Sequence, residues 1–196
     1  MGPLDLARFI KLRYWLLLLV ASMVIAQVRD PHPAATIVVP PSPPAAVTVQ
    51  APVGGQLGAG DPFAGACRPV VTQPYGPTDV EGEPIIGGVR FHTGIDLACA
   101  AGTPIHTISS GVAHVTYGYG GGFGNNVVVE VAGYFVRYAH LEAVVVADGA
   151  ALQAEQVIGR EGSTGFSTGP HLHFEVDQGA ASVYRSINPG PYLAGA

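Results

Sequence analysis

The chain has 196 residues, of which 27 are glycine, 17 are proline and only 12% are charged. Its formal net charge is −5, and this negative balance argues against binding to nucleic acid or to an anionic surface by charge alone. The glycine and proline content favours short strands joined by turns over long helices, so the predicted fold class is all-β.

The first 26 residues carry the features of an export signal. Arg8, Lys11 and Arg13 precede an apolar run over residues 14–26, which is shorter than the roughly 20 residues that a membrane-spanning helix needs. We therefore predict a signal peptide over residues 1–26, cleaved near Ala26. An uncleaved N-terminal membrane anchor is the alternative. In both cases the rest of the chain is expected outside the cytoplasm, either secreted, in the periplasm or at the cell wall.

Residues 27–61 have a different composition, rich in proline, alanine and valine. The stretch PHPAATIVVPPSPPAAVTVQAPVGGQ has no period that would bury one face. Its prolines favour a semi-extended linker. We predict that a single folded domain follows over residues 62–196.

Strand-like segments alternate with glycine-containing turns after Pro62. Ala132 and Gly133 separate two of these segments and predict a two-residue hairpin. The pattern indicates mainly antiparallel strands in two packed sheets. The predicted strands cover residues 104–108, 112–116, 127–131, 134–140, 144–146, 156–158 and 172–176.

Cys67 and Cys99 are the two cysteines of the chain. In an exported protein, a single pair is typical of one disulfide bond, which would stabilise the fold by roughly 3–4 kcal/mol through loop-closure entropy. Free thiols and metal ligands are the alternatives.

The segment GPHLHFEV, which begins at Gly169, places two imidazoles on alternate positions of a predicted strand. His171, His173 and Glu175 share one face, because successive strand side chains point to opposite sides. The intervening residues are apolar and predict the core side of the strand. We therefore expect the polar face of this strand to place the two imidazoles at the floor of a cleft.

The segment RFHTGIDLAC contributes His92 and Asp96. Four residues span roughly 13 Å in an extended strand. Gly94 lies between them and allows the backbone to bend, so both side chains can reach one ion. Two histidines and a carboxylate are a common ligand set of catalytic zinc. A further histidine, His140, ends the predicted strand in RYAHLE.

Together, the motifs FHTGIDLA, GTPI, GNNVVVEV, YAHLE, VIGREGSTGFSTGPHLHFEV and NPGPYL resemble the lysostaphin/LytM-type zinc metalloendopeptidases. The resemblance extends over about residues 70–193 and implies a β-sandwich of the duplicated-hybrid-motif type. It also implies that His92, Asp96 and His173 bind one zinc ion per chain. By the same resemblance, His171 is the catalytic histidine and His140 is its partner.

The implied reaction is hydrolysis of peptide cross-links or stem peptides of bacterial peptidoglycan by a zinc-activated water. The loops at residues 79–88 and 117–124 are expected to form the walls of the substrate groove. We expect a monomer that binds peptidoglycan peptides and no nucleic acid, with membrane contact only if residues 1–26 are retained. The alternative function is a non-catalytic wall-binding or amidase-activating module of the same fold. An exported metal-binding scaffold has less support, because two further histidines accompany the ligand set.

Overall fold

The computed structural model describes residues 56–194 of the chain. The predicted signal or anchor, and all but the last residues of the predicted linker, lie outside this range. Among the described residues, no helix is both long enough and apolar enough to span a bilayer. Leu57 and Gly60, which precede Pro62, already contact the domain. Leu57 packs on the core, and the amide of Gly60 donates to the carbonyl of Tyr192 at 3.1 Å. The start of the domain at Pro62 stays a prediction.

The described residues are almost entirely strands and turns. The helical segments among them are 3-10 turns of three residues each, at Gly120–Gly122, Val183–Arg185 and Gly190–Tyr192. The strands are β1 (Val70–Gln73), β2 (Gly76–Pro77), β3 (Ile85–Ile86), β4 (Val89–His92), β5 (Ile95–Ala98), β6 (Pro104–His106), β7 (Gly111–Thr116), β8 (Asn126–Val131), β9 (Tyr134–Ala139), β10 (Ala143–Val144), β11 (Ala151–Leu152), β12 (Val157–Arg160), β13 (Leu172–Gln178) and β14 (Ser186–Ile187).

One large sheet organises the domain, with the strand order β1-β5-β13-β9-β8-β7-β11 and with β14 also paired to β13. Two three-stranded sheets accompany it, in the orders β10-β12-β6 and β2-β4-β3. All pairings between the named strands are antiparallel. The prediction of an all-β fold built from antiparallel sheets is confirmed.

The hairpin between β8 and β9 follows from its two turn residues. Ala132 and Gly133 have φ values of 50° and 80°, and Val131 pairs with Tyr134 across them. Positive φ at both central residues is the type I′ arrangement, whose twist matches that of the flanking strands. The predicted two-residue hairpin is therefore confirmed.

The core lies between the large sheet and the sheet of β6, β10 and β12. Leu172, Phe174 and Val176 of β13 are fully buried and join one cluster with Ile105 of β6 and Ile158 of β12. The apolar side of β13 therefore faces inward, as its alternating sequence predicts. Its other side is left to carry the polar residues of the site.

The predicted disulfide bond between Cys67 and Cys99 is present, with 6.4 Å between the two Cα atoms. It joins the segment before β1 to the residue that follows β5. Because β5 carries Asp96, the bond braces a strand that contributes directly to the polar cluster described next.

Candidate metal centre and cleft

Three strands place His92, Asp96 and His173 at one point. His92 is the last residue of β4, and the chain crosses from that small sheet into β5 of the large sheet within two residues. Asp96 on β5 lies directly opposite His173 on β13 in the antiparallel register. Strand pairing therefore brings together residues that are 77 positions apart in the sequence.

The facing atoms of these residues are close enough to share one cation. Nδ1 of His173 lies 2.9 Å from Oδ1 of Asp96 and 3.0 Å from Nε2 of His92. Nε2 of His92 lies 3.1 Å from the same Oδ1. All three side chains are buried, and one donor atom from each lies within 4.8 Å of the others. Two imidazoles and a carboxylate in this arrangement fit the ligand chemistry of zinc.

Hydrogen bonds behind the rings orient both imidazoles. Nδ1 of His92 donates to the carbonyl of Pro74 at 3.0 Å, so the lone pair of Nε2 faces the common point. His173 has the opposite arrangement, because its Nε2 lies 3.4 Å from the carboxylate of Glu175 and its Nδ1 faces the common point. Such partners behind a metal ligand fix the tautomer of the imidazole.

The electrostatic surroundings favour positive charge at this point. Burial alone would raise the pKa of Asp96, but hydrogen bonds from His173 and His92, when the facing nitrogens of these rings are protonated, outweigh it and hold that pKa below its ordinary value. Burial alone would lower the pKa of His173, yet the carboxylates of Asp96 and Glu175 raise it to about 9. Carboxylates that raise the affinity of an imidazole for a proton also favour another cation at the same nitrogen.

His171 stands beside this cluster. Its Nδ1 donates to the carbonyl of Gly169 at 2.8 Å, and its Nε2 lies 3.5 Å from Oδ2 of Asp96. The ring is partly exposed, with 13% of the side chain accessible to solvent. Nε2 therefore carries a lone pair at the edge of the cluster and faces the cleft.

His140 faces His171, with 4.6 Å between the ring centroids. Its Nδ1 donates to the carbonyl of Thr164 at 2.8 Å. Burial, with a contribution from the charge of His173, lowers the pKa of His140 to about 4. Its φ of 61° ends β9 one residue earlier than predicted, and a non-glycine residue adopts this conformation at a cost of about 1 kcal/mol or more. The amide of His140 donates to the carbonyl of Phe123 at 2.8 Å, which helps to hold this backbone.

These five residues lie at the bottom of a cleft with a volume of about 360 Å³. Both predicted wall loops line it, since residues 79–88 contribute Val80, Gly82, Glu83 and Pro84, and residues 117–124 contribute Tyr119, Gly121, Gly122 and Phe123. A third segment, which was not predicted to be a wall, contributes Phe166, Ser167 and Thr168.

Phe166 is the most prominent residue of that third segment. A Cβ atom built on Gly82 would lie 2.7 Å from the Phe166 ring, so the ring reaches across to the opposite wall. The amide of Phe166 donates to the carbonyl of Gly122 at 2.7 Å and ties the segment to the glycine-rich loop. The turn-forming pattern STGFSTGP immediately before His171 was the signal that could have identified this wall.

The two imidazoles of β13 line the cleft, as predicted, whereas Glu175 lies away from it. Glu175 shares their face of β13 but is fully buried and does not line the cleft. Thr93 and Arg137 contact its carboxylate, and no local sequence pattern indicates this role for either residue.

The sequence profile of peptidase family M23 matches residues 90–188 of the chain. The peptidoglycan DD-endopeptidase ShyA of Vibrio cholerae serotype O1 is 39% identical over 94 residues, which are 47% of this chain and 22% of that protein. The chain spans about a quarter of the length of the curated relatives that it matches.

Solved structures share the fold. The catalytic domain of the antimicrobial peptidase lysostaphin from Staphylococcus simulans superposes with a TM-score of 0.56 and 33% identity, over 63% of this chain and 91% of that domain. A zinc-containing peptidase from Vibrio cholerae superposes with a TM-score of 0.50 and 32% identity, over 61% of this chain and 35% of that structure.

Proposed function

The chain belongs to peptidase family M23, as the resemblance of its motifs implied, and from this membership we propose that it is a zinc-dependent endopeptidase that cuts peptides of bacterial peptidoglycan. The observation that carries this proposal is the meeting of His92, Asp96 and His173 within 4.8 Å at the bottom of an open cleft. Two further imidazoles, those of His140 and His171, border the same point.

We propose that His92, Asp96 and His173 hold the zinc ion through Nε2, a carboxylate oxygen and Nδ1, respectively. When bound, zinc would supply a Lewis acid that activates water and polarises the scissile carbonyl. The peptidase from Vibrio cholerae that shares the fold is described as containing zinc, which supports the choice of metal.

His171 is the proposed proton acceptor. Because its Nδ1–H is held by the carbonyl of Gly169, the lone pair of Nε2 remains free to take a proton from the attacking water. The protonated ring then has an Nε2–H that can return the proton to the leaving amine. The carbonyl of Gly169 also stabilises the ring orientation in both protonation states, since it accepts from the opposite nitrogen.

His140 has the same tautomer, because its Nδ1–H is held by the carbonyl of Thr164. To polarise the scissile carbonyl and stabilise its oxyanion, His140 would need a proton on Nε2. A buried imidazole with a pKa of about 4 is neutral near pH 7, and its Nε2 then accepts a hydrogen bond. We therefore propose that the neutral His140 orients the attacking water, whose O–H donates to the lone pair of Nε2.

The substrate class follows from the cleft and the relatives. The cleft is lined mainly by glycine, aromatic and neutral polar side chains, which suits a thin, extended peptide of low charge. ShyA is described as a peptidoglycan DD-endopeptidase. The bond between Cys67 and Cys99 is consistent with an oxidising compartment, where peptidoglycan is found. We propose that the domain acts outside the cytoplasm.

A non-catalytic wall-binding or amidase-activating module remains the second candidate. Such a module would have no need for two free imidazoles beside a complete ligand set, which favours the enzyme. The test is digestion of purified peptidoglycans with product identification by mass spectrometry. We expect new amino termini with the parent chain and at least about 100-fold fewer with His171→Ala. Binding to peptidoglycan without any cleavage by the zinc-loaded parent would favour the module.

A further inference from the structure

A carboxylate that does not touch the cleft lies directly behind one of the proposed zinc ligands. Glu175 has no solvent exposure, and its Oε2 lies 3.4 Å from Nε2 of His173. Thr93 donates its hydroxyl to the same oxygen, and Arg137 donates from Nε to Oε1 at 3.2 Å. A buried carboxylate is costly unless it is paired and hydrogen-bonded, and here both oxygens have partners.

We propose that Glu175 is a positioning residue that holds His173 with Nε2 protonated and Nδ1 free, and that Thr93 and Arg137 fix the carboxylate in place. This inference rests on the proposed zinc site. His173 and Glu175 are two residues apart on β13, so the pleat of the strand sets them side by side on one face. The geometry is that of a carboxylate–histidine–metal arrangement, in which the carboxylate is the acceptor behind the ring.

His173 differs in this respect from the other three histidines of the site. His92, His140 and His171 each donate from Nδ1 to a backbone carbonyl, which leaves Nε2 free. His173 faces the common point with Nδ1, so its Nε2 needs an acceptor on the opposite side. Glu175 supplies that acceptor as a side chain, and it adds a negative charge that favours a cation on the ring.

The same carboxylate connects the two segments that carry the ligands. Thr93 directly follows His92, and it meets Glu175 across 82 positions of sequence. The hydroxyl of Thr93 therefore links the end of β4 to β13 immediately behind the proposed zinc site. Without this link, the distance between His92 and His173 would vary more, even if each ring kept the hydrogen bond to its own acceptor, the carbonyl of Pro74 or the carboxylate of Glu175.

Arg137 extends the connection to the wall of the cleft. Its guanidinium lies 4.1 Å from the ring centroid of Phe123, and its Nη1 donates to Asn126 at 3.2 Å. Phe123 in turn packs against His173, with 5.4 Å between ring centroids. Arg137 is therefore held by the wall of the cleft while it holds Glu175, which gives the carboxylate a rigid support.

The test measures zinc affinity of the 196-residue chain by competition with a chromogenic chelator. We expect Glu175→Gln and Thr93→Val to weaken zinc binding about 10–100-fold. Thr93→Ser keeps the hydroxyl and should bind zinc as tightly as the parent. Glu130→Gln is the matched control, because Glu130 also faces a histidine, His114, at 3.0 Å but lies on the exposed side of β7 and β8. Its zinc affinity should equal that of the parent.

A spectroscopic readout separates positioning from general loss of structure. In the zinc-loaded parent, the Nε2 proton of His173 should give a slowly exchanging NMR signal, and this exchange should accelerate in Thr93→Val. Thr93→Val also keeps the test decisive if Glu175→Gln fails to fold. Parent-like zinc affinity in Thr93→Val, or in a folded Glu175→Gln, would overturn the proposal. A parent that binds zinc but leaves peptidoglycan intact would contradict the proposed function and not this inference, whereas a parent that binds no zinc would contradict both.

Discussion

The ring of His173 lies against the backbone of Gly94. A Cβ atom built on Gly94 would be 2.6 Å from both Cε1 and Nε2 of that ring, and 2.7 Å from the carbonyl oxygen of Phe174. The chain bends at Gly94 between β4 and β5, as the sequence predicts, but Gly94 does not have a positive φ, so the bend by itself does not require glycine. Its role is to leave room for the imidazole, because any side chain would occupy the space of a proposed zinc ligand.

Gly94→Ala should therefore displace His173. Neither the ring nor the backbone oxygen of Phe174 can move far within a paired strand, so we expect a loss of about 1–3 kcal/mol in the free energy of unfolding and a weaker affinity for zinc. Chemical denaturation and chelator competition would measure the two effects. Gly58→Ala is the matched control, because a Cβ atom there meets nothing within 4 Å. A Gly94→Ala variant with the zinc affinity of the parent would refute the steric argument.

His173→Ala and His171→Ala should separate metal binding from proton transfer. We expect His173→Ala to lose zinc, because one of three proposed ligands is removed. We expect His171→Ala to retain zinc and to lose peptidoglycan cleavage by a factor of about 10²–10⁴. Metal analysis of the purified variants, together with turnover of isolated peptidoglycan, would measure this. Equal loss of zinc in the two variants would contradict the assignment of His171.

Phe166 is expected to limit which peptides enter the cleft. Because its ring reaches the opposite wall at Gly82, replacing it by alanine should widen the passage. We expect Phe166→Ala to raise the rate of cleavage of peptides with a bulky residue at the scissile bond, relative to the rate for peptides with glycine there. This ratio of rates should rise about tenfold for each 1.4 kcal/mol of steric crowding that the substitution removes. Competition between two synthetic peptides would measure this ratio. Tyr117→Ala, an exposed aromatic outside the cleft lining, should leave the ratio unchanged.

Asp177 should make stability depend on pH. Burial, and then the charge of Glu175, raise the pKa of Asp177 to about 8 in the folded state, against 3.8 for an ordinary aspartate. The folded state then binds more protons than the unfolded state between these values, so its stability should fall as the pH rises from about 4 to 8. Asp177→Asn mimics the protonated acid and should flatten this slope.

Denaturant unfolding at pH 5, 7 and 9 would measure the effect. We expect the two proteins to be similar at pH 5, and the variant to be more stable by on the order of 2 kcal/mol at pH 9. Asp79→Asn, at an exposed aspartate, is the control and should follow the parent. The same pH dependence in the parent and in Asp177→Asn would contradict the raised pKa of Asp177.

The bond between Cys67 and Cys99 closes a loop with a sequence separation of 32 residues. Removing it with paired serine substitutions should lower the free energy of unfolding by about 3–4 kcal/mol, since the unfolded chain regains that loop entropy. Unfolding curves of the oxidised parent and the double variant would test this. Mass spectrometry with an alkylating reagent should find no free thiol in the parent before reduction.

Much of the site could be predicted because its residues sit in short, locally regular patterns. The alternation in HLHFEV places two histidines opposite a core face, and the order of motifs along the chain indicates the family before any coordinates are known. The strands over residues 127–131 and 134–140 were predictable for the same reason, since strong alternation and the turn at Ala132 and Gly133 are local features. By contrast, β1 to β5 were not recognised, because they are two to four residues long and several lie exposed at sheet edges.

The sequence by itself thus determined the side chains of the proposed site, the all-β class and the apolar face of β13, because each depends on residue type and on a period of two. Only the tertiary structure decided which nitrogen of each histidine is free, that Glu175 lies behind His173 rather than in the cleft, and that Phe166 reaches Gly82. These relationships join residues that are remote in the sequence, such as Thr93 and Glu175, 82 positions apart. Pairing between distant strands and close packing set such distances, and neither is encoded in any single segment.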